Sequence, residues 1–257
     1  MTAMNLIVQE RAKSAFLLTD TGYFNRVTGA IEAFGPKVHG IAIGGGAYAA
    51  IATSGSIFTG HIRRPLSRIC ASTLEDFLVA MPGVFRAAEA ASRAEGGCGS
   101  SAAAIVAFDP KSGRALGWGI GNDTQLFRAT PYTLVPTRKS LTAFDEVRHF
   151  RLAETDFCDP RQWNPITQGV ELVEAQRQDI DMMVGGGASV VGGEAVLTCV
   201  TREGISHVTL KSWPDRVGKR IDLQKGDRLG VYDRVIAWNR QTFRPIKTIR
   251  LSATNNC

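Results

Sequence analysis

Three runs with the composition of β-strands fill the first 43 residues, and their spacing leaves few ways to fold the rest of the chain. Residues 5–10 and 14–20 are short and mostly apolar, with only the charged stretch from Glu10 to Lys13 between them, so they read as a hairpin. A third run, residues 37–43, is entered through Gly35-Pro36. A chain that begins with antiparallel strands must find further strands and helices to cover both faces of the sheet they start.

The rest of the sequence supplies them in pairs. Residues 37–43 and 48–54 flank Gly44-Gly45-Gly46; because those glycines separate two extended segments and lead into no helix, they predict a tight hairpin and not a phosphate loop. Ser72 with Glu75 forms a capping-box pattern, and Leu74, Phe77, Leu78, Met81, Phe85 and Ala88 follow at helical spacing. Pro82-Gly83 is expected to kink or break that helix. Residues 102–109 and 114–121 flank the turn Asp109-Pro110-Lys111-Ser112-Gly113 and predict a second hairpin.

A short strand is expected at residues 132–135 and a helix around 144–152. Asn164 and Pro165 open a second long helix with Ile166, Val170, Val173 and Ile180 on one face, and residues 194–201 and 205–213 form the last hairpin around Arg202-Glu203-Gly204. The order ββ, ββ, α, ββ, α, ββ fits an antiparallel α+β arrangement with two packed sheets and helices outside.

Composition narrows the function classes. No run reaches the eighteen or so apolar residues of a membrane span, and the first twenty residues lack the basic head and apolar block of a secretory signal, so synthesis in the cytoplasm is expected. The five cysteines are widely spaced without C-x-x-C, which points to neither a disulfide framework nor a zinc site, and nothing in the pattern calls for a cofactor. His39, His61, His149 and His207 are scattered singly and no Gly-x-Ser-x-Gly elbow exists.

The opening resembles the proteasome-like N-terminal nucleophile hydrolases. In that family a Thr, Ser or Cys begins the first strand, Thr-Asp or Ala-Asp ends the second, and a Lys begins the third. Asp20 and Lys37 stand at the acidic and basic positions, and Met4 stands where linear counting puts the nucleophile. The resemblance implies a four-layer αββα sandwich over residues 1–213, followed by a β-rich basic arm over 214–257. It also implies a degenerate site: Asp181 matches the family's second acid, while Asn122 and Val184 replace two supporting serines. The mechanism needs an α-amine as base and a lysine beside the hydroxyl, and methionine provides neither. Thr2 is the alternative nucleophile of a self-compartmentalised peptidase or amidohydrolase, but in the linear count it lies roughly 6–7 Å too far upstream.

The Thr19-Asp20 strand end and the Gly35-Pro36-Lys37-Val38 strand start further resemble bacteriophage and prophage members of this fold. That implies a non-enzymatic virion component, in tail or neck, partnered by itself and by neighbouring assembly proteins. The arm fits such a role. From residue 213 onward there are ten Lys/Arg against four Asp/Glu, which carries the whole net charge of +6, while the preceding residues balance at twenty of each sign. Val235, Ile236, Trp238, Phe243, Ile246 and Ile249 alternate with Arg234 and Arg244, so the arm is expected to lay apolar strand faces on a neighbouring subunit. Nucleic acid is disfavoured, because the acids temper the cations.

Overall fold

The computed structural model describes residues 3–25, 27–55, 59–124, 127–142, 144, 146–179 and 188–221, together with the backbones of 183–184, 235–238 and 245–249. Strand β1 (Met4–Gln9) and strand β2 (Ser14–Asp20) pair antiparallel from Met4↔Thr19 to Gln9↔Ser14. Their connection is a 3-10 turn over Glu10–Ala12, closed by Lys13 in the left-handed region (φ 51°). Strands β3 (Gly22–Phe24) and β4 (Ile31–Phe34) form a short ribbon. Strands β5 (Val38–Ala42) and β6 (Tyr48–Gly55) then make the hairpin around the three glycines, with Gly45 and Gly46 at positive φ as such a tight return requires.

Helices α1 (Thr59–Leu66) and α2 (Leu74–Ala94) follow. The cap of α2 is Thr73 and not Ser72: Thr73 Oγ1 accepts from Asp76 N and Asp76 Oδ2 accepts from Thr73 N, each at 3.1 Å. Pro82 does not break this helix. Phe77, Met81, Val84, Phe85 and Ala88 on either side of it are buried in one cluster, which offsets the lost backbone bond.

Strands β7 (Ser101–Asp109) and β8 (Arg114–Gly121) form the next hairpin. The region after it is less regular than expected: β9 is Val135–Pro136, β10 is Lys139–Ser140, and α3 is only Phe150–Ala153. Helix α4 spans Gly169–Arg177. Asn164 does not cap this helix: its Oδ1 accepts from Ile166 N at 2.9 Å in a local turn, the chain runs irregularly through 165–168, and Gln168 precedes the helix without a side-chain cap bond. Strands β11 (Met183–Val184) and β12 (Ala188–Ser189) pair briefly; β13 (Glu194–Thr201) and β14 (Gly204–Ser212) form the last hairpin of the sandwich. Strands β15 (Val235–Trp238) and β16 (Pro245–Ile249) form a separate antiparallel pair, with Val235 opposite Ile249.

Two five-stranded antiparallel sheets result, in the orders β10-β1-β2-β13-β14 and β5-β6-β7-β8-β9. Between them Leu6, Val8, Leu17 and Val200 meet the alanines Ala50, Ala52, Ala102 and Ala104. The small residues let the sheets approach, and a Cβ on Gly117 of β8 would come within 2.9 Å of Leu6 Cδ2 and Val8 Cγ2. Helices α1 and α2 bury their apolar faces on the second sheet.

The expected four-layer αββα sandwich is corrected by this architecture. The described residues are sheet-rich with few helices. The outer face of the first sheet is covered by the nine-residue α4 and by irregular chain carrying Phe157 and Trp163, not by a helical layer. The physical reason lies in residues 141–168, where side chains bond backbone locally, as Asp156, Asp159 and Asn164 do, and so compete with helix formation.

Residues just beyond 213 also touch the sheets and their cover. Asp215 pairs with the buried Arg177, Arg220 bridges Ala30, and Ile221 is buried and bridges Ser189.

Candidate functional site at the Asp20–Lys37 pair

Asp20 is the last residue of β2, and alternation along that strand turns it to the same face as Phe16 and Leu18, away from the space between the sheets. The residue is fully buried, and among the described residues its carboxylate is held by four donors. Oδ1 accepts from Ala3 N at 3.1 Å and from Lys37 Nζ at 2.7 Å. Oδ2 accepts from Gly22 N at 3.2 Å and Gly192 N at 3.1 Å. Four donors replace the water this carboxylate gives up on burial.

Lys37 enters just ahead of β5. It is 4 % exposed, and its ammonium also lies 5.4 Å from the centre of the Tyr23 ring, whose hydroxyl donates to Pro36 O. Burial lowers the Lys37 pKa from its ordinary value, and the adjacent Asp20 charge and hydrogen bond oppose that fall without cancelling it.

The register of the β1–β2 hairpin decides which residue faces this pair. Met4 lies opposite Thr19, so the position across from Asp20 is Ala3, as the Ala3 N to Asp20 bond also shows. Met4 instead points between the sheets and packs with Leu6 and Val8, while its backbone exchanges hydrogen bonds with Thr142 Oγ1. Linear counting selects Met4; the four-residue turn at Glu10–Lys13 lengthens the hairpin loop and moves the facing position toward the N-terminus. Ala3 N and Lys37 Nζ share one acceptor, so they lie no farther apart than the sum of their two distances to it. The lysine amine is therefore held close to the Ala3 nitrogen. Thr2 itself lies outside the described residues.

Of the other expected site residues, Asn122 is described in full and has a different set of partners. Asn122, past the end of β8, accepts from Ser101 N and donates to Glu89 Oε1 at 2.7 Å and to Gly99 O. Glu89 is buried and also takes Tyr132 Oη at 2.5 Å and Arg93. Desolvation raises its pKa, but the hydrogen bonds from Tyr132, Asn122 and Arg93 outweigh it and leave the carboxyl below its ordinary range. Asp181 lies outside the described residues, and for Val184 only the backbone pairing with Ala188 is described. Of the arm residues, Arg234, Phe243 and Arg244 lie outside them, while Val235, Ile236 and Trp238 are placed on β15, and Ile246 and Ile249 on β16.

Residues 192 and 193 were not legible as site residues, although the glycine pair before β13 is their signal. Gly192 N donates to Asp20 and Gly193 N donates to Asp215 Oδ2 at 2.8 Å. Asp215 in turn grips Arg177 through two bonds of 2.8 Å. A Cβ on Gly192 would meet Asp215 Oδ2 at 2.6 Å, and one on Gly193 (φ 80°) would meet Thr21 Oγ1 at 2.5 Å. Only glycine fits a corner where two carboxylates converge on successive amides.

No protein-family model matches this chain, and no curated protein matches it. Solved structures do. Anbu in a helical assembly of the complex from Pseudomonas aeruginosa superimposes with a TM-score of 0.55 at 12% identity, over 84% of this chain and 88% of that one. A Gly-1 mutant of Anbu from Hyphomicrobium sp. strain MC1 gives 0.52 at 13% identity, over 86% and 87%. Anbu, described as an ancestral beta-subunit, from Yersinia bercovieri gives 0.52 at 10% identity, over 81% and 88%. At such identities the likeness establishes a proteasome-like fold and nothing about activity. It also corrects the expected kinship with bacteriophage sequences, since these neighbours are bacterial proteins.

Proposed function

We propose that this chain is a subunit of a self-associating, proteasome-like assembly and acts as an N-terminal threonine hydrolase, with Thr2 as nucleophile once the peptide bond between residues 1 and 2 is cut. The observation that carries this reading is the shared acceptor, Asp20 Oδ1, which holds Lys37 Nζ near the backbone nitrogen of Ala3, the residue that follows Thr2 in the sequence. Cleavage would give residue 2 a free α-amine titrating near neutrality, which serves as the base for its own hydroxyl. Lys37, with its pKa lowered by burial and kept from falling further by Asp20, is placed to favour the ionised hydroxyl. The alkoxide would attack an amide carbonyl, the amine leaves with the proton that the α-amine received, and water hydrolyses the ester formed on Thr2. Self-association is supported by the helical assembly in which the Pseudomonas aeruginosa Anbu complex was solved.

A non-enzymatic structural subunit is the second reading, and the four donors on Asp20 favour it, because they make the pair a clamp between four chain segments whatever its chemistry. Intact mass after treatment with a β-lactone, which acylates nucleophilic hydroxyls, separates the two. The hydrolase reading requires a mature chain starting at Thr2 and one adduct on that residue, lost in Thr2→Ala and slowed in Lys37→Met. An uncut chain with no adduct would leave the structural subunit.

A further inference from the structure

A cavity of about 630 Å³ opens between the two sheets at the end where β13 and β14 face β5. Phe34, Pro36, Val38, Val196 and Trp213 give it apolar walls. Its charged neighbours are engaged elsewhere: Lys37 with Asp20, Asp215 with Arg177, and Glu194 with the Ser212 hydroxyl at 3.2 Å. His207, also in the wall, bonds Thr198 Oγ1 through Nδ1 at 2.8 Å, and its partial burial lowers its pKa from the ordinary histidine value.

One buried polar atom of the wall is left over among the described residues. Thr19 belongs to the cavity wall and is 1 % exposed, yet its Oγ1 has no hydrogen-bond partner among the described residues. A buried hydroxyl without a partner is costly, and valine has nearly the same shape without that cost. The volume lies in the range of small-molecule sites, which combine apolar walls with a few placed polar groups.

We infer that this inter-sheet cavity is a binding site for an uncharged, apolar group carrying one hydrogen-bonding function, which Thr19 Oγ1 recognises. A free molecule and a peptide side chain present the same chemistry to this site, and the site does not rest on Thr2 acting as a nucleophile.

Calorimetric titration of the full chain tests this with 2-naphthol against naphthalene as free probes, and N-acetyltyrosinamide against N-acetylphenylalaninamide as peptide-borne ones. Saturable one-to-one binding is expected, with the hydroxylated member of a pair preferred by about tenfold. Val196→Phe and, on the facing wall, Val38→Phe should each weaken binding by at least about tenfold by filling the space. Thr19→Val should abolish the hydroxyl preference while raising the Tm of the ligand-free protein, a gain that a purely structural hydroxyl would not show. Binding by the free pair alone or the peptide pair alone identifies the source. No saturable binding by either pair, binding unchanged in both filled variants, or a hydroxyl preference that survives Thr19→Val would overturn the inference.

Discussion

Removing one partner of the Asp20–Lys37 pair isolates what its burial costs. In Lys37→Met the Asp20 carboxylate keeps three amide donors, from Ala3, Gly22 and Gly192, so the loss should fall at the lower end for a broken buried pair, about 3 kcal/mol. In Asp20→Asn the side-chain amide can offer only one carbonyl to four donors, and Lys37 is left as a buried cation, so the loss should approach about 5 kcal/mol. The double variant should cost clearly less than the two singles together, because neither uncompensated charge remains.

Urea unfolding followed by tryptophan fluorescence, at one protein concentration, reads all three. The pH dependence adds a sign. The Lys37 pKa is lowered in the fold, so as pH rises through the folded value toward 10.5 the unfolded chain binds more protons and stability rises. Asp20→Asn removes the groups that oppose the lowering, which moves the start of that rise to lower pH. If both single variants cost less than about 1 kcal/mol, as exposed pairs do, the burial argument is wrong.

Truncation after Trp213 removes Asp215 and leaves the buried Arg177 guanidinium without its carboxylate, so that chain should lose about 3–5 kcal/mol, whereas one ending at Ile221 should keep its midpoint; thermal unfolding compares them. The chain ending at Ile221 should also elute as a smaller species by light scattering if the arm joins subunits, and salt should weaken the full-length contact only partly, since apolar burial is not screened. Gly193→Ala places a side chain at φ 80° and against Thr21 and Phe34, which should lower stability by about 1–3 kcal/mol in the same assay. Glu89 is ionised below its ordinary range, so the stability it contributes is present above the usual glutamate pKa and lost as pH falls through the folded value; Glu89→Gln should flatten that acid limb.

The hairpins were legible because each announces itself twice, in alternating apolar residues and in turn chemistry: Asp109 accepts from Lys111 N and Ser112 N, and Gly113 takes positive φ. The helical cover was less so. Helix α1 has a proline inside it and no capping pattern, and the run from Asn164 looked longer than it is, because the spacing of Ile166 and Val170 is also met by a turn that packs on the sheet. At the site, Asp20 and Lys37 were readable from strand-end patterns. Their neighbours were not: Ala3 faces Asp20 only because of a turn geometry at residues 10–13, and Gly192 comes from 172 positions away. Spacing in sequence reports neither a register nor a long-range amide.

The Gly192 amide sets a clock. Asp20 gains one of its donors from a residue made 172 positions later, and the strand that follows, β13, is the one that pairs with β2 along its length. At ordinary rates of translation, roughly 9–35 s separate the two residues, during which the β1–β2 hairpin has one edge of β2 bare and the carboxylate one donor short. The buried carboxylate therefore holds Gly192 only after most of the chain has been made, so the β1–β2 hairpin waits on β13 for its final setting.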